Sequence, residues 1–281
     1  CIRDRLLDLH AQQGQSPWLD NLRRSWIISG DLGRWVDRGV RGITSNPSIF
    51  QKAMTGSDDY DEQLRRLVAD GATIEDSYWA LVARDIMDAL EVMRPVHEAS
   101  GGVDGYVSVE VNPSLASDTD GTIAAARDLD QLIDRPNLYV KIPATTEGIP
   151  AINQMISEGR SVNVTLIFSL LRYAEVMEAY VSGLEARDCD LSDTSSGASF
   201  FISRTDSEVD RRLDAIGGES ALALRGRAAV AQGQVAYEMF RKMFSGERWE
   251  ALAARGARVQ RPLWASTSTK LSLIHISEPT R

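Results

Sequence analysis

The feature that most constrains this chain is a set of short runs whose polar side chains all fall on one parity. In residues 106–112, three valines alternate with Ser108, Glu110 and Asn112. Because successive side chains of a strand point to opposite faces, each such strand has one apolar and one polar face. This alternation is typical of an antiparallel sheet with one wet face, but amphipathic helical stretches separate the runs here. The spacing therefore favours parallel strands with helical crossovers, whose polar faces converge inside a closed barrel.

Seven runs indicate strands, and apolar residues at helical spacing fill the intervals between them. A capping box at Thr73-Ile-Glu-Asp predicts the start of one helix, and residues 220–244 are predicted to form the longest helix. We therefore predict an α/β fold, namely a (β/α)8 TIM-type barrel with about seven of its eight strands. The predicted strands are residues 18–22, 42–46, 106–112, 138–143, 162–167, 200–204 and 261–266.

Composition excludes several classes of protein. A chain of 281 residues with 43% apolar content is long enough for one barrel domain. No apolar run approaches the ~18 residues of a membrane span, and a net charge of −9 argues against general nucleic-acid binding. Cys1 and Cys189 give neither a disulfide framework nor a metal pattern, which favours the reducing cytoplasm. Because the sequence has no metal-ligand cluster and no glycine-rich phosphate loop, we predict no metal and no cofactor.

One lysine, Lys141, lies in the middle of the apolar run Tyr139-Val-Lys-Ile-Pro-Ala. Val140 and Ile142 point to one face of the predicted strand, and Lys141 points to the other. A lysine in such surroundings loses solvation, which makes its neutral amine more accessible and suits a Schiff-base lysine. The alternative is an edge-strand lysine that is kept for solubility.

Two long motifs and five short ones resemble those of the transaldolases, in the same order. Residues 42–50, Gly-Ile-Thr-Ser-Asn-Pro-Ser-Ile-Phe, resemble the first signature of the family. Residues 139–152, which begin Tyr-Val-Lys-Ile-Pro-Ala-Thr-Thr-Glu-Gly, resemble the second signature, which carries the Schiff-base lysine. The shorter matches are residues 16–22, 109–113, 163–169, 201–204 and 261–267. The resemblance spans residues 2–270 and is greatest to the longer bacterial branch that is typical of actinobacteria.

The resemblance implies a Schiff-base aldol transfer in the pentose phosphate pathway. Lys141 would form an imine with a ketose phosphate, fructose 6-phosphate or sedoheptulose 7-phosphate, and the C3–C4 bond would break. An aldose phosphate would then accept the dihydroxyacetone unit from the lysine. Asp20 would carry the proton of the C4 hydroxyl, while Glu110 and Thr165 would hold a proton-shuttling water. The expected substrate-binding residues are Thr44, Asn46, Ser108, Asn163, Ser203, Arg204 and Ser266, with Lys270 as a further candidate.

Each of these residues also has a structural interpretation. Asp20 could cap a turn after Pro17, and Asn46 precedes a proline, which favours turns. Thr165 could be an ordinary β-branched strand residue. Glu110 on a valine-rich strand is costly to bury without a partner, and Lys141 is an available one. Finally, Arg204 could pair on the surface with Asp206 or Glu208.

Two other functions stay open at this stage. A class I aldolase would use the same imine but release the three-carbon unit instead of transferring it. A barrel that binds sugar phosphates without turnover would form no imine at all. Homo-oligomerisation is also left open, while nucleic-acid and membrane partners are not expected.

The carboxyl end departs from the transaldolase pattern. Residues 1–270 are expected to be the barrel domain, without the final loop, helix and eighth strand of the family. Residues 271–281 resemble translated vector sequence, with a short natural tail as the alternative. The start at Cys1 instead of methionine also suggests a fragment, and we expect the chain as written to aggregate or be inactive.

Overall fold

The structure of the protein, a computed structural model, describes residues 2–267. Strands and helices alternate along the chain. The strands are β1 Trp18–Asp20, β2 Gly42–Thr44, β3 Tyr106–Glu110, β4 Leu138–Pro143, β5 Val162–Ile167, β6 Ser196–Phe201 and β7 Arg261–Ala265. The helices are α1 Ile2–Gln13, α2 Arg24–Ile28, α3 Asp31–Asp37, α4 Pro47–Thr55, α5 Asp61–Ala69, α6 Ile74–Ala99, α7 Thr119–Ile133, α8 Gly148–Ser157, α9 Leu170–Glu185, α10 Ser203–Ile216, α11 Glu219–Leu222, α12 Ala228–Met243 and α13 Glu247–Ala253.

The described chain divides into two compact units. The first comprises residues 2–115 and 121–141, and the second comprises residues 116–120 and 142–267. In the first, β1, β2, β3 and β4 pair in parallel in chain order, and in the second β5, β6 and β7 do the same. Within residues 2–267, seven strands that alternate with helices confirm the predicted α/β class and agree with an incomplete (β/α)8 barrel. The predicted domain boundary at residue 270 and the tail at 271–281 lie outside the described residues.

In the first unit, helix α6 packs against β3. Thr73 caps the helix, because its hydroxyl accepts a hydrogen bond from the Asp76 amide at 3.1 Å, as the predicted capping box requires. Ile86, Leu90 and Met93 of α6 are almost fully buried, as are the valines of β3. At 26 residues, α6 is the longest helix of residues 2–267, and the predicted helix over residues 220–244 is instead split into α11 and α12.

An aromatic stack fills the same face of the first unit's sheet that carries Lys141. The rings of Tyr106 and Tyr139 are parallel, with centroids 4.0 Å apart, and Trp18 stacks on Tyr139 at 6.2 Å. Trp18 pairs in register with Gly42, and a Cβ on that glycine would come within 2.2 Å of the indole ring. The stack therefore depends on a residue without a side chain at position 42.

The second unit is built on β5 to β7 and the helix pair α8 and α9. Ile152, Ile156, Tyr180 and Leu184 of these two helices are fully buried. The register of β5 with β6 shifts between Val164 and Ile167. None of the helices of residues 2–267 combines the length and hydropathy that a membrane span requires.

Candidate active site

Buried Lys141 and half-buried Glu110 form an ion pair at the carboxyl ends of two neighbouring strands. They are register partners in β3 and β4, and Nζ of Lys141 lies 3.0 Å from Oε2 of Glu110. Only 6% of Lys141 is exposed. The side-chain alternation predicts this pair, because both residues lie on the polar parity of adjacent strands. Lys141 is therefore a buried amine beside a carboxylate, not an edge-strand lysine.

The main chain of Ser45 provides a second acceptor for Lys141. Nζ of Lys141 donates to the Ser45 carbonyl oxygen at 2.8 Å. The hydroxyl of Ser45 in turn donates to the Ser108 carbonyl at 2.7 Å, and Ser45 is fully buried. Sequence reasoning missed Ser45, because its side chain lies on the parity opposite to Thr44 and Asn46, and its contact with the lysine is made by the backbone.

Three further predicted residues form one row across the first unit. Asp20 pairs in register with Thr44, and Thr44 pairs with Ser108. Side chains in one row of a parallel sheet lie on the same face, so the structure brings these three together. Ser108 is buried, Thr44 is half-buried and Asp20 is exposed, so solvent exposure increases along the row from β3 to β1.

Asn46 has a structural task in addition to any role in binding. Its Oδ1 accepts a hydrogen bond from the Ile49 amide at 3.0 Å and thereby caps α4, which begins at Pro47. The structural interpretation of Asn46 that the sequence offered, a residue that shapes the local turn, is therefore observed.

The carboxylate of Glu110 also influences Tyr78 on α6. Burial raises the pKa of the Tyr78 hydroxyl, and the negative charge of Glu110 raises it further, to a smaller extent.

In the second unit, Asn163 and Thr165 are buried on β5, as their parity predicts. Oδ1 of Asn163 accepts a hydrogen bond from the Ser199 hydroxyl at 2.9 Å. Ser199 is buried on β6 and was not predicted, because the predicted strand began one residue later. The Thr165 carbonyl accepts from the Ala144 amide at 2.8 Å.

Leu166 is an exception to the side-chain alternation that the sequence predicts for β5. The pattern places it on the buried apolar face with Val162 and Val164, but its side chain is 39% exposed. Its φ of 62° is in the left-handed region, at the shift of register between β5 and β6. Such a bulge turns one side chain out and lets the next, Ile167, return to the core.

Ser203, Arg204 and Ser266 also belong to the second unit. Ser203 and Ser266 hydroxyls lie 2.8 Å apart. The prediction that Ser203 and Arg204 end a strand is wrong, because β6 ends at Phe201 and α10 begins at Ser203. The guanidinium of Arg204 lies over the Phe201 ring, 5.1 Å from its centroid.

The acidic residues considered as partners for Arg204 have other contacts. Glu208 accepts hydrogen bonds from Arg211 and Arg212, and Asp206 accepts one from the Ala229 amide. Lys270, the further candidate for the phosphate, lies outside the described residues. Within residues 2–267, no three or more histidine, cysteine, aspartate or glutamate side chains are grouped so that they could hold a metal ion.

Fold and site together define a class: a strand–helix protein with a buried lysine–carboxylate pair at the carboxyl ends of parallel strands. The family model that matches residues 17–274 is described as transaldolase/fructose-6-phosphate aldolase. A transaldolase of Parafrankia sp. is 53% identical over 94% of this chain and 73% of its own length. A transaldolase of Thermobifida fusca is 53% identical over 92% of this chain and 72% of its own length, and one of Acidothermus cellulolyticus is 52% identical over 96% and 73%.

The chain belongs to the transaldolase/fructose-6-phosphate aldolase family. The predicted resemblance to the transaldolases, and to actinobacterial sequences in particular, is therefore confirmed. The predictions of an enzyme of the transferase class and of a transaldolase function agree with the names of these relatives.

Proposed function

We propose that this protein is a transaldolase that transfers a three-carbon dihydroxyacetone unit between sugar phosphates through an imine on Lys141. The observation that carries the proposal is the buried amine of Lys141, held between the Glu110 carboxylate and the Ser45 carbonyl. Family membership supports the reaction type. The donor would be sedoheptulose 7-phosphate or fructose 6-phosphate, and the acceptor an aldose phosphate of the pentose phosphate pathway.

In the first step, the neutral amine of Lys141 attacks the ketose carbonyl, and loss of one water gives the imine. Glu110 is close enough to the nitrogen to accept its proton and return one to the departing hydroxyl. Protonation of the imine makes it an electron sink, so the C3–C4 bond can break without a metal ion. We assign Asp20 to the C4 hydroxyl proton and Thr165 to the water that takes part in imine formation.

The remaining assignments concern substrate binding. Thr44, Asn46 and Ser108 are proposed to bind hydroxyls of the fragment attached to Lys141. From the second unit, Asn163 is proposed to bind hydroxyls, and its bond to Ser199 supports a fixed amide orientation. Ser203 is proposed to bind a hydroxyl, and Arg204 and Ser266 are proposed to bind the phosphate; the position of Arg204 in the first turn of α10 supports anion binding there.

A second candidate is a fructose 6-phosphate aldolase, because the description of the matching family covers both activities. An aldolase forms the same imine but releases the three-carbon unit by hydrolysis. The names of the relatives cited above, which are all transaldolases, favour the transfer reaction. We propose a cytoplasmic location from the cysteine content, and homo-oligomerisation remains a prediction.

The test is to follow product formation from fructose 6-phosphate with and without erythrose 4-phosphate, and to trap the imine with borohydride. We expect sedoheptulose 7-phosphate only when the acceptor is present, and a reduced three-carbon adduct on the peptide that contains Lys141. Release of dihydroxyacetone at the same rate without an acceptor would favour the aldolase. Absence of any adduct would leave a binding protein without turnover.

A further inference from the structure

Ser45 uses both of its polar groups at the lysine. Its carbonyl accepts from Nζ of Lys141 at 2.8 Å, and its hydroxyl donates to the Ser108 carbonyl at 2.7 Å. The last paired residue of β2 is Thr44, so the Ser45 carbonyl lies one residue beyond the strand ladder. The hydroxyl therefore fastens this peptide to β3 where backbone pairing has ended.

The two acceptors around Nζ define the direction in which the amine can react. The nitrogen is tetrahedral, and one position is taken by its own carbon. Ser45 and Glu110 oxygens, at 2.8 and 3.0 Å, take two more. In the neutral amine both N–H groups donate to these oxygens, so the lone pair points in the remaining direction.

We propose that Ser45 is a positioning residue for imine formation: its hydroxyl holds its own carbonyl in place, and that carbonyl orients the lone pair of Lys141. The inference rests on the proposed function, since it requires Lys141 to form the imine. Without the hydroxyl, the carbonyl is fixed only by its chain neighbours. The amine then keeps the contact with Glu110 but can rotate about the Cε–Nζ bond, which changes the direction of its lone pair.

A different role would be to satisfy the Ser108 carbonyl and nothing more. Ser196 is a matched control for that role. It is also fully buried, and its hydroxyl donates to the Val162 carbonyl of the neighbouring strand at 2.8 Å. It additionally accepts from Nε2 of Gln260, so its loss disturbs at least as many hydrogen bonds as the loss of Ser45.

The experiment compares the parent protein with Ser45→Ala, Ser45→Thr and Ser196→Ala. The first readout is the single-turnover rate of borohydride-trapped imine from fructose 6-phosphate. The second is the affinity for glucitol 6-phosphate, which has no carbonyl and cannot form an imine. Comparing the change in trapping rate with the change in affinity for each variant separates orientation of the amine from binding of the sugar phosphate.

We expect Ser45→Ala to slow imine formation about 10-fold or more, because a small misplacement of a reacting group is costly. Affinity for glucitol 6-phosphate should stay that of the parent. Ser45→Thr keeps the hydroxyl and should restore most of the rate. Ser196→Ala should lose thermal stability yet keep the parent rate of trapping.

An unchanged trapping rate in Ser45→Ala overturns the proposal, and so does a loss of glucitol 6-phosphate affinity equal to the loss of rate. If Ser45→Ala does not fold, Ser45→Cys keeps the volume with a weaker donor. It should trap at an intermediate rate, and the parent rate would again overturn the proposal. A parent protein that traps no adduct refutes the proposed function instead.

Discussion

Two buried ion pairs in the first unit show how similar charges can serve different ends. Lys141 and Glu110 lie 3.0 Å apart, and Arg24 and Asp85 lie 2.6 Å apart. The guanidinium of Arg24 also donates to the Leu81 carbonyl at 3.2 Å, and it lies 4.2 Å from the centre of the Tyr60 ring. The Tyr60 hydroxyl donates to the second oxygen of Asp85 at 2.7 Å.

The difference lies in how completely each cation is surrounded and whether it can lose a proton. Arginine stays protonated in proteins, and the contacts of Arg24 join α2, the 3-10 turn Asp58–Tyr60 and α6. Burial raises the pKa of both Asp85 and Tyr60. Among residues 2–267, Lys141 contacts two acceptors, the Glu110 carboxylate and the Ser45 carbonyl, and an amine, unlike a guanidinium, can lose a proton and act as a nucleophile. The Arg24–Asp85 pair therefore joins structural elements, whereas the Lys141–Glu110 pair contains the amine that we propose as the nucleophile.

The largest expected effect comes from Lys141→Arg. The variant keeps a cation beside Glu110, as in the Arg24–Asp85 pair, but a guanidinium cannot form the imine. We expect complete loss of the borohydride adduct with little change in melting temperature, checked by peptide mass spectrometry. An adduct that remains on Lys52 or Lys242 would show that the amine was assigned to the wrong residue.

The next effect is on stability. Asp85→Ala leaves the buried Arg24 without its carboxylate, and breaking a buried pair in this way costs about 3–5 kcal/mol. Tyr60→Phe is the control, because it keeps the ion pair and removes the two hydrogen bonds of the hydroxyl, to Asp85 and from the Arg24 amide, at a cost of about 1 kcal/mol each. Urea denaturation measures both. Folded Asp85→Ala should still trap the imine at the parent rate, and a large loss of that rate would mean that the Arg24 cluster also orders the site.

The smallest expected effect tests whether the contribution of an ion-pair cluster to the free energy of unfolding depends on its burial or on its number of hydrogen bonds. Arg248 donates four hydrogen bonds to Glu178 and Glu185, but its side chain is 47% exposed. Arg248→Gln should therefore cost only about 0.2–1 kcal/mol per pair. A loss as large as that of Asp85→Ala would contradict this distinction.

This small contribution should also depend on pH. Hydrogen bonds from Arg248 lower the pKa of Glu178 and of Glu185 below the ordinary 4.5. The stability difference between parent and Arg248→Gln should then be present above pH 4.5 and disappear as the pH falls through the lowered values. Thermal unfolding between neutral pH and the acid limit of the folded state measures it.

Strands with strong alternation could be predicted from sequence, and strands of small residues could not. The predicted bounds of β4 and β5 agree with the structure. By contrast, β6 begins with Ser196-Gly-Ala-Ser, whose small buried residues give no apolar alternation, so the predicted strand started at residue 200. That error placed Ser203 and Arg204 on a strand instead of on α10. The break between α11 and α12 was also missed, where Gly226 has a φ of 68°.

Among the contacts of the candidate site, those that follow from strand alternation could also be predicted, and the others could not. The pairing of Lys141 with Glu110 could be expected from parity, because both side chains lie on the polar face of adjacent strands. The contact with Ser45 could not, since a carbonyl belongs to every residue and carries no signal in the sequence. Similarly, the bond from Ser199 to Asn163 depends on the register between β5 and β6, which alternation alone does not determine.

The close approach of Trp18 to Gly42 couples the permitted residues at two positions that are far apart in sequence. Any side chain at position 42 would occupy the volume of the indole, so it could be accepted only if position 18 became smaller at the same time. A single change at either position leaves a clash or a void beneath the Tyr139 ring, two residues before Lys141. Diversification of this part of the sheet must therefore proceed through paired substitutions, and libraries that vary one of these sites alone would consist largely of defective proteins.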